Sequence, residues 1–184
     1  MRSSSRRDFL SKSSLVAGAA LAFPHLATAS KTGGPIILGE GEHQYEVIHN
    51  WALLPDHFSW QVTHNVAVDA AQNLYVMHEG KASQKGHPAI FVFDPKGRFI
   101  RAFGSQFQGG GHGLEVHQEG DQQFLYVTGY QQVKSIAKLT LRGDIVWYQR
   151  APMASGKYEK GEDTSNKAEW GRNRFMPTNI AFHP

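Results

Sequence analysis

HNVAVDAAQNLYVMHEG (64–80) and IFVFDPKGRFIRAFG (90–104) read as four short strands joined by turns, and the pattern then begins again. Forty-eight residues after His64 it restarts as HGLEVH (112–117), followed by QFLYVTGY (123–130) and SIAKLTLRGDIVWYQ (135–149). TNIAFH (178–183) begins it a third time. Short strands that recur at this spacing are the signature of a propeller or solenoid.

Within the first unit, Val66 and Val68 alternate with Asn65 and Ala67, as an innermost strand requires. Residues 69–73 form a polar turn, 74–77 a second strand, 90–93 a third and 98–103 a fourth. Asp94-Pro95-Lys96-Gly97 has the residue types of a tight turn. The second unit repeats this over 114–116, 124–128, 135–141 and 145–149. The expected fold is all-β: a β-propeller with four-stranded antiparallel blades at 64–104 and 112–150, an exposed insertion at 151–174, and the start of a next blade at 178–184. A strand near residues 45–54 has no local partner before it and is expected to close the ring. Residues 30–44 are Gly-rich and expected to be flexible. About two and a half blades are present where propellers use roughly four to eight. Each blade has two apolar faces that only neighbours can cover. The chain is therefore expected to be the N-terminal piece of a longer protein, the alternative being assembly of several short chains into one ring.

The 19 Gly, 8 Pro and 11% aromatic content suit a turn-rich β protein, and the absence of Cys excludes disulfides and thiolate–metal sites. Arg2, Arg6, Arg7 and Lys12 against Asp8 account for the net charge of +3, so residues 30–184 are near neutral and carry no basic stripe for nucleic acid. SRRDFLSK (5–12), with Arg6 and Arg7, resembles the bacterial twin-arginine export motif. The apolar run at 15–23 is too short to span a bilayer, and Ala27-Thr28-Ala29 is a small-residue cleavage site. Residues 1–29 are thus expected to be a signal peptide cleaved after Ala29. The partner is the twin-arginine export machinery, and the destination is the periplasm or cell exterior.

The quoted units, with GGGHGLEV (109–116) and RFMPTNIAF (174–182), resemble NHL-repeat six-bladed propellers over residues 45–184. Within that group the chain looks most like the peptidyl-α-hydroxyglycine α-amidating lyases. That resemblance implies a catalytic zinc near the propeller axis, held by His from different blades, and cleavage of an α-hydroxyglycine-extended peptide to an amide and glyoxylate. His64 and His112 match two such ligands. Both stand immediately before an innermost strand, so repeat symmetry points them to one end of the channel. The third equivalent position is Thr178, so a third ligand is expected outside this chain; the family's catalytic Tyr and Arg have no motif match here. A non-catalytic scaffold of the cell envelope, holding peptide or glycan through the channel mouth and the 151–174 loop, is the second reading. A lactonase-like hydrolase with calcium ranks last, because His and Thr, not carboxylates, occupy the strand starts.

The other conspicuous residues have plainer readings. Gly109-Gly110-Gly111 is an inter-blade turn or a close backbone approach, and no phosphate loop, since no Lys-Ser/Thr follows. Asp69, His117 and His183 share the sixth repeat position, where Asp makes a turn hydrogen bond. His78-Glu79 lacks the spacing of a general-base motif. Tyr75, Phe91, Phe93, Phe99, Phe103, Tyr126, Trp147 and Phe182 are expected between blades. Trp51, Trp60 and Trp170 lie outside the repeat cores, and Trp60 and Trp170 are the better binding candidates.

Overall fold

The computed structural model describes residues 34–183, so the export assignments at residues 1–29, with Arg6, Arg7 and Ala29, lie outside the described residues. The chain divides into two units, Met1–His49 and Asn50–Pro184. In the first, β1 (Ile36–Glu40) pairs antiparallel with β2 (His43–Val47), in register from Ile36–Val47 to Glu40–His43. The two-residue loop has Gly41 at φ 57°, the positive value that a Gly-first hairpin turn needs. This corrects two expectations. Residues 30–44 contain a strand, and the strand expected at 45–54 is shorter, starts earlier and has a local partner. Of the glycines that suggest flexibility, Gly39 and Gly41 instead stand at one tight turn.

The second unit holds two four-stranded antiparallel meanders. One runs β3 (Thr63–Val68), β4 (Leu74–His78), β5 (Ile90–Phe93), β6 (Phe99–Phe103). The other runs β7 (Gly111–Glu119), β8 (Gln122–Gly129), β9 (Ser135–Thr140), β10 (Ile145–Gln149). Among the described residues the only helical segments are three short 3-10 turns, and no helix is long and apolar enough to cross a membrane. The turn residues act as their chemistry dictates. Asp69 accepts from Asn73 N–H at 2.8 Å and from Tyr75 Oη at 3.2 Å, and Asp94 accepts from Lys96 and Arg98 N–H, both at 2.9 Å.

Strand alternation gives β4 two apolar faces. Tyr75 and Met77 join Ile90, Val92, Phe107, Leu114, Leu125, Val127 and Leu139 in a core shared by both sheets. Each such fully buried side chain stabilises by roughly 1.5–3 kcal/mol. Arg101 ties the sheets further: its guanidinium donates to Leu141 O at 2.6 Å and to Tyr75 Oη at 3.1 Å. Val76, Phe91 and Phe93 form the opposite face, covered by Trp51, Ala52, Leu54 and Phe58. Trp60 stacks on Phe93, with centroids 5.7 Å apart and planes at 22°. Residues 51–60 therefore cover a sheet face. Their one sheet-like contact is an isolated parallel bridge from Leu53 to Arg98.

The 151–174 segment is anchored rather than freely exposed. Glu162 is fully buried and pairs with the equally buried Lys134 at 2.8 Å. Residues 178–183 form no strand; nothing among the described residues pairs with them to make a ladder. They run beside β7, where Phe182 lies flat on His117 at 3.7 Å.

Candidate functional site

β3 and β7 are the edge strands of their sheets and lie against each other. His64 is the second residue of β3 and His112 the second of β7. Both fall where the ladder breaks register, between Thr63 and Asn65 and between Gly111 and Leu114. Such bulges re-aim a side chain off the regular alternation. The two imidazoles meet, with ring centroids 4.3 Å apart and planes at 39°.

Each ring has one nitrogen facing an acceptor. His64 Nε2 is 2.9 Å from Glu79 Oε2, and His112 Nδ1 is 2.7 Å from Thr178 O. Neither a carboxylate nor a carbonyl can donate, so those two nitrogens carry the protons. In the neutral rings the lone pairs are then on His64 Nδ1 and His112 Nε2. A carboxylate or carbonyl fixing one ring nitrogen is the usual support for an imidazole that binds metal through the other. Glu79 is itself held, because its Oε1 accepts from Gln131 Nε2 at 3.0 Å.

Tyr130 completes the cluster, with its ring 4.8 Å from His112 and 5.8 Å from His64. Burial, and then the negative charge of Glu79, push its hydroxyl above the usual tyrosine range, so it stays protonated. Trp170 stands edge-on to Tyr130 at 5.8 Å and is 66% exposed. Of the two Trp candidates, Trp170 reaches this cluster, whereas Trp60 packs on Phe93 and His78.

The glycine run serves close backbone approach. The N–H groups of Gly109, Gly110 and Gly111 all donate to Glu79 O, at 3.0, 2.9 and 3.2 Å. A Cβ on Gly110 would collide with Tyr130 O, and one on Gly111 with His78 O. Gly110→Ala should therefore push Tyr130 away from the pair and cost about 1–3 kcal/mol, read as a lower urea midpoint.

His78 and Glu79 do not act together. Alternation sends His78 into the packed face beside Phe91 and Trp60, while Glu79 joins His64. Tyr130 does not stand out in the sequence and Glu79 stands out only beside His78, yet hairpin geometry brings both to the pair. Thr63 pairs with His78 and Gly111 with Gly129. The residue after each second strand must therefore return beside the His that opens the first.

As a metal centre the cluster fits in donor type and outer support but is short in number. Catalytic zinc usually takes three protein ligands. Among the described residues, no three His, Cys, Asp or Glu side chains are grouped so that they could hold a metal ion. No family model matches the chain, and no curated protein matches it.

Proposed function

We propose that this chain forms part of an exported NHL-type propeller with a metal-assisted lyase site resembling that of the amidating lyases. The observation that carries the reading is the convergence of His64 and His112, each with one nitrogen tied to an acceptor and the other bearing a lone pair. The two sheets would be adjacent blades, with β3 and β7 lining the channel. Zinc would be held by His64 and His112 and would polarise a substrate oxygen or acidify a bound hydroxyl. The chain's own residues do the rest. Glu79 fixes the His64 ring, and Thr178 O fixes His112. Tyr130 holds a proton beside the pair, and Trp170 offers an exposed aromatic face to a peptide. In the reaction a C–N bond of the hydroxyglycine breaks, the hydroxyl proton is lost as its C–O becomes the aldehyde C=O of glyoxylate, and the amide nitrogen gains a proton.

The test uses the full chain stripped with chelator and titrated with zinc. One zinc should bind per chain, with binding lost in His64→Ala and in His112→Ala. Glu79→Gln should weaken it by about 10–100-fold. Glyoxylate release from an α-hydroxyglycine peptide should follow metal content. Unchanged zinc uptake in both His variants would overturn the metal assignment. A non-catalytic peptide- or glycan-binding scaffold is favoured instead if Trp170→Ala abolishes peptide binding while zinc has no effect on it.

A further inference from the structure

Apart from the His pair, a cavity of about 510 Å³ opens between the two sheets. That volume is ordinary for a small-molecule site, roughly 300–1,000 Å³. The 3-10 turns after β4 and β6, the β8–β9 turn and the end of β10 line it. Its charged residues are Lys85 and Arg150, and no carboxylate lines it. Arg150 is pre-set. Its guanidinium donates to Asn166 Oδ1 at 2.8 Å and to Ser165 O at 2.6 Å. A guanidinium has five donors, so these two bonds leave three N–H groups. One of the three, on Nε, is buried, which leaves one N–H on each Nη for a ligand in the cavity.

We infer that this cavity binds a small hydroxyl-rich carboxylate of the uronic-acid class, with its carboxylate on Arg150 and Lys85. The planar fork of Arg matches a carboxylate, and the ammonium of Lys85 adds charge. Gln106, Gln132 and Ser105 on the wall supply both donors and acceptors, as sugar hydroxyls require. Tyr148 lends an aromatic ring to the C–H face of a sugar. The site is separate from the His64–His112 cluster and does not depend on metal there.

The test titrates the full chain calorimetrically with galacturonate, galactose and inorganic phosphate. Galacturonate should saturate with a Kd of about 1 mM or tighter, weaken with added salt, and be unaffected by His64→Ala. Galactose should not saturate. Lys85→Ala, which leaves the Arg150 network intact, and Arg150→Gln should each weaken galacturonate about tenfold or more. Absence of galacturonate binding, equal binding of galactose, tighter binding of phosphate, or full affinity in Lys85→Ala would overturn the proposal. Should Arg150→Gln lower the thermal midpoint, Lys85→Ala alone decides.

Discussion

Glu162→Ala should lower the stability of the folded chain by about 3–5 kcal/mol, the range expected when one partner of a buried ion pair is removed. Glu162 has no solvent exposure. It accepts hydrogen bonds from Arg174 at 2.9 Å and Phe175 N–H at 3.0 Å, and forms an ion pair with Lys134 Nζ at 2.8 Å. Truncation leaves the Lys134 ammonium sealed in the interior without a counter-charge. The double variant Lys134→Met/Glu162→Leu removes both charges and should recover most of the loss, because a well-packed apolar pair often replaces a buried ion pair at little cost. The urea midpoints of wild type, single and double variants decide it; a single variant within about 0.5 kcal/mol of wild type would sink the argument. The loss should also reach the site. Arg174 holds Glu169 at 2.6 Å, next in sequence to Trp170, so the cluster places that ring beside Tyr130. The exposed Arg174–Glu159 and Arg174–Glu169 pairs add little by themselves.

The same carboxyl sets an acid limit. Burial raises the Glu162 carboxyl, but the paired Lys134 ammonium and the hydrogen bonds from Arg174 and Phe175 outweigh that and hold it below the usual range. Its folded value lies below its unfolded one. Its contribution is complete above about pH 4.5 and is lost as the pH falls through the lowered folded value.

The all-β character and the strand order of each antiparallel sheet were legible because their cues are local. Val66 and Val68 alternate, Asp69 and Asp94 close turns through their own side chains, and the order of four strands follows from short loops. The His64–His112 meeting was legible because each His stands at the start of the first strand of its sheet. The hairpin at Ile36–Val47 was missed because a Gly-first turn of two residues has the composition of a flexible tail. Trp60 offered no cue that it would stack on Phe93, for that contact joins a loop to a sheet face 33 residues away. The Lys134–Glu162 pair was illegible too: both residue types are ordinarily exposed, and only the path of the 151–174 segment buries them. Glu79 was read with its neighbour His78, although strand alternation separates them.

That separation makes His78 the second large effect. Its ring sits against Phe91 at 4.9 Å and Trp60 at 5.5 Å, and neither ring nitrogen has a hydrogen-bond partner among the described residues. Burial first, and then the nearby His87, push its pKa down from 6.5 to about 4. Above pH 6.5 the ring is neutral in both folded and unfolded chains and adds no pH dependence. Between about 6.5 and 4 the unfolded chain takes up a proton that the folded chain refuses, so stability falls with pH. Below about 4 both states bind the proton and this contribution levels off. The full drop is about 3 kcal/mol. His78→Leu removes the titrating group and two unpaired nitrogens from an apolar setting, so it should be at least as stable as wild type at pH 7. Urea midpoints at pH 7, 6 and 5 should fall steeply for wild type and stay nearly flat for His78→Leu. Both should then lose stability together below about pH 4.5, where Glu162 titrates. Parallel decline of the two proteins between pH 7 and 5 would show that His78 takes up its proton without unfolding, and that the packed face of β4 is open to water.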